Sequence, residues 1–76
     1  MPTVLRRGGY EIAINFNDHA PAHVHVFKGA GEAKIQLDRV EVKQVWKMKK
    51  SEANRAKRIV RDNREYLLER WEEFHG

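Results

Sequence analysis

The chain has 76 residues, is 41% hydrophobic and 34% charged, and carries a formal net charge of +4. A chain of this size makes one small domain with a thin core, burying roughly 60–65% of its unfolded surface, and the absence of cysteine excludes disulfides, thiolate metal sites and thiol nucleophiles. No apolar run approaches the roughly 18–20 residues of a membrane span, and MPTVLRRGGY lacks the apolar core of a signal peptide, so a cytoplasmic protein with no membrane partner is expected.

The first half of the chain alternates with period two. Thr3 to Arg6 reads as a short strand joined through Gly8-Gly9 to a second, in which Tyr10, Ile12, Ile14 and Phe16 alternate with Glu11, Ala13, Asn15 and Asn17. His23 to Lys28 forms the next strand, with Val24 and Val26 on one face, and Gly29-Ala30-Gly31 closes a turn. Ala33, Ile35 and Leu37 then alternate with Glu32, Lys34, Gln36 and Asp38, and Val40 and Val42 continue the pattern more weakly. The expectation is an antiparallel meander of three to four strands over about residues 3–42, apolar on one face.

The second half changes period. Ser51 can cap a helix in which Ala56, Val60, Asn63, Leu67, Trp71 and Phe74 recur at spacings of three and four, with Ile59 and Leu68 widening the stripe. No proline or glycine intervenes before Gly76, so one helix over about 51–74 is expected. The fold class is then α+β. The helix packs Val60, Leu67 and Trp71 on Ile12, Ile14, Val24 and Ile35, and the other sheet face stays open. Asn63 reads as a satisfied amide at the stripe, and Trp46, Tyr66, Trp71 and Phe74 as core.

Three of the four histidines fall within NDHAPAHVHV, residues 17–26. If Val24 and Val26 face the helix, His23, His25 and Phe27 face the opposite way, beside Glu11, Asn15, Lys34 or Gln36 of neighbouring strands. Asp18 and His19 lie on a rim loop stiffened by Pro21. Three chemistries fit. Imidazoles two residues apart on a strand, about 6–7 Å, can close on one divalent metal ion, with His19 or Asp18 as a third ligand. Alternatively His23 and His25 serve as acid and base on a phosphodiester, with His19 and Asp18 completing the catalytic set and a nearby cation stabilising the developing charge. In the third, structural reading, the histidines and Asp18 fix the turn through backbone hydrogen bonds. Phe27 on the open face can stack on a base or pack under a partner. HVHVF is also similar to the histidine-triad nucleotide hydrolases, but Phe27 stands where their nucleophilic third histidine belongs and the chain is too short for that fold.

Lys43, Lys47, Lys49, Lys50, Arg55, Lys57, Arg58, Arg61 and Arg64 crowd the approach to the helix and its first half, and Glu65, Glu69, Glu72 and Glu73 its end. This order opposes the helix dipole, at about 0.3–1 kcal/mol per charge, with Arg58–Asp62 and Arg61–Glu65 pairs offsetting a little. Either the charges are a solvated face, or the segment around Lys57, Arg58 and Arg61 docks RNA, DNA or an acidic partner.

The segments MPTVLR, GY followed by FNDHAPAHVHVFKG, GEAKIQLD and NREYLLERWEEFHG together resemble a family of small bacterial proteins of unknown function. Its central motif usually reads Asn-Asp-His-x-Pro-Pro-His-Val-His-Val; here Ala22 replaces the second proline. The resemblance covers almost the whole chain and implies one component of a toxin–antitoxin-like gene pair, with a small cognate protein as partner. Combined with the histidine face, this gives the expectation of a toxin-like protein acting on or binding RNA, with ribonuclease-like chemistry. The rival expectations are a non-catalytic protein-binding subunit, such as an antitoxin or regulator, and a metal-binding domain. Self-association into a homo-oligomer is compatible with each.

Overall fold

The computed structural model describes residues 1–75. Five strands, β1 (Thr3–Arg7), β2 (Tyr10–Ala13), β3 (His23–Lys28), β4 (Gly31–Gln36) and β5 (Glu41–Trp46), precede two helices, α1 (Lys50–Asp62) and α2 (Arg64–His75). The strands form one antiparallel sheet in chain order. Two-residue turns make the first and third connections, since Arg7 pairs with Tyr10 and Lys28 with Gly31. Gly8, Gly9 and Gly29 have φ of +54°, +84° and +58°, which glycine adopts without the steric cost of a Cβ.

The α+β class stands, with more elements than the three to four strands and single helix expected. Val40 lies in a turn, and Val42 belongs to a full strand after it, β5, that runs to Trp46 and is exposed at most positions. As an edge strand it has little burial to impose an alternating pattern. The helix breaks at Asn63, with φ −120° and ψ 20°. Its Nδ2 donates to the Ile59 carbonyl at 2.8 Å, the local side-chain bond by which asparagine competes with helical backbone pairing. Asn63 is thus the satisfied amide expected, and also the point of division. Helix α1 starts before Ser51: Lys49 is the N-cap residue, and its amide donates to the Glu52 carboxylate at 2.9 Å.

The core joins the two layers as the apolar stripes require. Ile12, Ile14, Val24, Val26, Ala33, Ile35 and Leu37 from the sheet side pack with Ala56, Val60, Leu67 and Trp71 from the helices. Phe16 lies outside β2, exposed and edge-on to Phe74 at 4.8 Å between ring centroids. Trp46 and Tyr66 are exposed rather than core, although the Tyr66 hydroxyl donates to the Val4 carbonyl at 2.9 Å. Arg64 is a clamp: its guanidinium donates to the carbonyls of Leu37 and Asp38 at 2.7 and 3.1 Å, tying the start of α2 to the end of β4. The Arg58–Asp62 and Arg61–Glu65 pairs do not form among the described residues; Arg61 reaches Asp62 instead, at 3.4 Å.

Candidate metal centre

Strand β3 places its histidines by simple alternation. Val24 and Val26 are fully buried toward the helices, and His25 lies on the other face, opposite Ala13 of β2 and Lys34 of β4. His23 pairs with Gln36, and Phe27 with Glu11 and Glu32. Of the neighbours expected on this face, Glu11, Lys34 and Gln36 are in register with the histidine strand, whereas Asn15 lies beyond the end of β2.

This end of the face is not open. The side chains of His23 and His25 are only 7% and 13% exposed. Two things cover them. The loop after β2, which contains a cis Ala20–Pro21 peptide, folds Asp18 back over the strand. The last turns of α2 close from beside it: the Trp71 ring lies 5.3 Å from that of His23, and the His75 ring stacks on Trp71 at 3.8 Å. His75 then reaches the Asn15 carbonyl through Nε2 at 3.1 Å, joining the helix end to the loop. Three exposed histidines on an uncovered face are therefore not what the fold presents; of the three, His19 alone is exposed.

Asp18, His23 and His25 converge. The Nε2 atoms of both histidines lie 2.9 Å from the same oxygen, Oδ2 of Asp18, and the three donor atoms fall within 4.8 Å of one another. The outer ring nitrogens are also held. Nδ1 of His23 lies 2.9 Å from the Pro21 carbonyl, and Nδ1 of His25 lies 3.2 Å from Oε2 of Glu32. Burial works against the charge of Asp18. With both rings protonated on Nε2, the hydrogen bond from His25, the charges of His23 and His25, and the hydrogen bond from His23 outweigh it and lower the Asp18 carboxyl from its ordinary value.

These contacts fix proton positions. A carbonyl only accepts, so His23 carries its proton on Nδ1, and the Glu32 carboxylate assigns the same tautomer to His25. Each neutral ring then turns an Nε2 lone pair toward Asp18. With no proton or cation between them, lone pairs would face an anionic oxygen at 2.9 Å. Either both rings take a second proton, placing two like charges with ring centroids 5.3 Å apart, or one cation sits among the three donors. Ligands about 2.1 Å from an ion are about 3.0 Å apart at octahedral right angles and about 3.4 Å apart in a tetrahedron, so the two Asp18–histidine separations of 2.9 Å are close to the octahedral spacing. The outer contacts, Pro21 carbonyl and Glu32 carboxylate, are of the type that orient metal-bound imidazoles.

The other singled-out residues lie apart from this cluster. His19 lines a neighbouring cleft rather than joining the donors, so Asp18 is the third member of the set. Lys34 stands next to His25 across the β3–β4 pair. Phe27 is half-buried toward the far end of the strand, and Lys57, Arg58 and Arg61 are exposed on α1, lining with Arg39 a separate hollow at the β4–β5 turn. Sequence reasoning missed three contributors. Glu32 carries a signal, since a tight β3–β4 hairpin puts it diagonally beside His25. Trp71 and His75 carry none, because their approach depends on where the second helix is aimed.

Fold and cluster together define a small α+β domain that holds a two-histidine, one-carboxylate set at one end of a five-stranded sheet. A family described as a domain of unknown function (DUF4160) matches residues 9–72, and the chain belongs to that family. No curated protein and no solved structure matches the chain. None of the helices is long and apolar enough to cross a membrane among the described residues.

Proposed function

We propose that the chain is a metal-binding domain that holds one divalent cation through Asp18 Oδ2, His23 Nε2 and His25 Nε2. The observation that carries this reading is the shared orientation of both Nε2 atoms on one carboxylate oxygen, with each Nδ1 already committed to an acceptor. Two nitrogens and one carboxylate suit zinc, and the same set with open positions suits iron(II). Three protein donors leave coordination sites for water or a ligand, the arrangement of catalytic rather than structural zinc. A role as the RNA-acting member of a two-protein module is compatible with this site. Its support is the positive charge of Lys34 beside His25, with a second basic patch of Lys57, Arg58 and Arg61 at the separate hollow on α1.

The test is direct titration of chelator-stripped protein with Zn²⁺ by calorimetry and with Co²⁺ by visible absorption. One ion per chain is expected, with a Co²⁺ spectrum showing nitrogen and oxygen ligation. Asp18→Ala and His25→Ala are expected to abolish it while their unfolding transitions remain cooperative. Equal Zn²⁺ and Co²⁺ binding by Asp18→Ala and the wild type would place any ion elsewhere and remove this reading.

A further inference from the structure

We infer that the metal centre opens onto a pocket for a phosphate ester, whose oxygens bridge the ion and the Lys34 ammonium; the inference rests on the metal reading above. A cleft of about 610 Å³ adjoins the cluster, bordered by Asp18 and His23 on one side and by Lys34, Lys43 and Gln44 on the other. Two of the three proposed metal ligands therefore line it directly. An ion held by three protein atoms has positions left for an outside oxygen, and the cleft is where such a ligand can approach.

The charge around the cleft identifies the ligand class. Lys43 is already paired, its Nζ 2.6 Å from the Glu41 carboxylate. Lys34 has no ion-pair partner among the described residues, although it is half-buried with Glu32 two positions away on the same strand. Glu32 is turned to His25 instead. Lys34 is thus an uncommitted cation held between His25 on β3 and Gln44 on β5, which it opposes in the sheet. Adjacent strands lie about 4.8 Å apart, so the Lys34 side chain leaves the sheet one strand spacing from the His25 ligand. The ion is balanced by Asp18 and by the Glu32 carboxylate on His25, and Lys34 then leaves the local charge at +1, which favours an anionic ligand. The cleft is many times larger than one phosphoryl group, so it has room for the group esterified to it. The chain's net charge of +4 adds a long-range attraction for such anions.

The experiment uses the full chain loaded with Mn²⁺ and reads ³¹P relaxation in inorganic phosphate, a nucleoside monophosphate and a dinucleoside monophosphate. The first two arms present a terminal phosphate and the third an internal diester, so their relative affinities separate the two sources of the same chemistry. Saturable relaxation enhancement is expected, with at least fivefold weaker ligand affinity in Lys34→Gln and less than a twofold change in Lys57→Gln, on α1 away from the cleft. Mn²⁺ affinity, measured separately by the electron paramagnetic resonance signal of the free ion, is expected to be unchanged in both variants. If Mn²⁺ binds but no phosphorus relaxes, if Lys34→Gln matches the wild type, or if acetate competes as well as phosphate, the phosphate pocket is overturned while the metal site stands. If the wild type binds Zn²⁺ but not Mn²⁺, the same ligands are titrated into the Zn²⁺-loaded chain by calorimetry with the same pattern expected, and if it binds neither ion the metal reading fails first and the pocket falls with it.

Discussion

Glu32 shows how a residue outside the donor set acts on it. Its carboxylate holds Nδ1 of His25 at 3.2 Å, so the ring keeps its proton on the outer nitrogen and presents Nε2 inward. Removing such an orienting partner typically lowers metal affinity by 10–100-fold. Glu32→Ala is therefore expected to weaken Zn²⁺ binding by roughly tenfold or more, within that range, while Glu52→Ala, at the start of α1, leaves it unchanged. Competition against a chelating dye measures both. Equal affinities in the two variants would show that His25 needs no outer partner. The Pro21 carbonyl does the same for His23 but belongs to the backbone, so no side-chain substitution removes it.

At the scale of elements, the join between sheet and helices depends on Leu67 and Gly31. Leu67 is fully buried in the shared core, so Leu67→Ala is expected to cost about 2–5 kcal/mol in a denaturant melt. A loss near zero would place the second helix off the sheet. At Gly31 the constraint is proximity: a Cβ there would lie 2.5 Å from the Lys47 carbonyl oxygen, a backbone atom that cannot swing aside. Gly31→Ala is expected to destabilise by roughly 1–3 kcal/mol, checked by the shift in melt midpoint, whereas Ala30→Gly at the hairpin tip stays near neutral. These elements also show what the sequence makes legible. Strand β3 was readable to its ends because its two faces differ sharply, valine against histidine. Strand β5 was not, because an exposed edge does not sort its residues by polarity. The break at Asn63 was hidden because Val60, Leu67 and Trp71 keep nearly the same apolar phase on both sides of it.

At the scale of the whole molecule, the donor residues were legible and their enclosure was not. Alternation set His25 opposite the valines, and NDH marked Asp18 and His19 as neighbours, but the choice of Asp18 over His19 depends on the path of the loop. That path is held from three sides. Asp18 reaches the histidines of β3, Leu37 of the β4 end donates to the Ala22 carbonyl at 2.9 Å, and His75 of α2 reaches Asn15. An ion at the cluster would therefore tighten sheet, loop and second helix together, and its binding energy would appear as stability of the whole domain. At a free metal concentration 100 times Kd the gain is about 2.7 kcal/mol. For a domain of this size that corresponds to a rise in Tm of roughly 10–20 °C. Scanning calorimetry of stripped and Zn²⁺-saturated protein is expected to show a single transition moving upward by about that amount. Hydrogen exchange should slow at the Asp18 amide, which donates to the Asn15 carbonyl at 3.2 Å. Asp18→Ala is expected to melt close to the stripped wild type and to ignore Zn²⁺. A metal-induced rise of the same size in Asp18→Ala would mean that the cation stabilises the fold from somewhere other than the loop, and the coupling argued here would be lost.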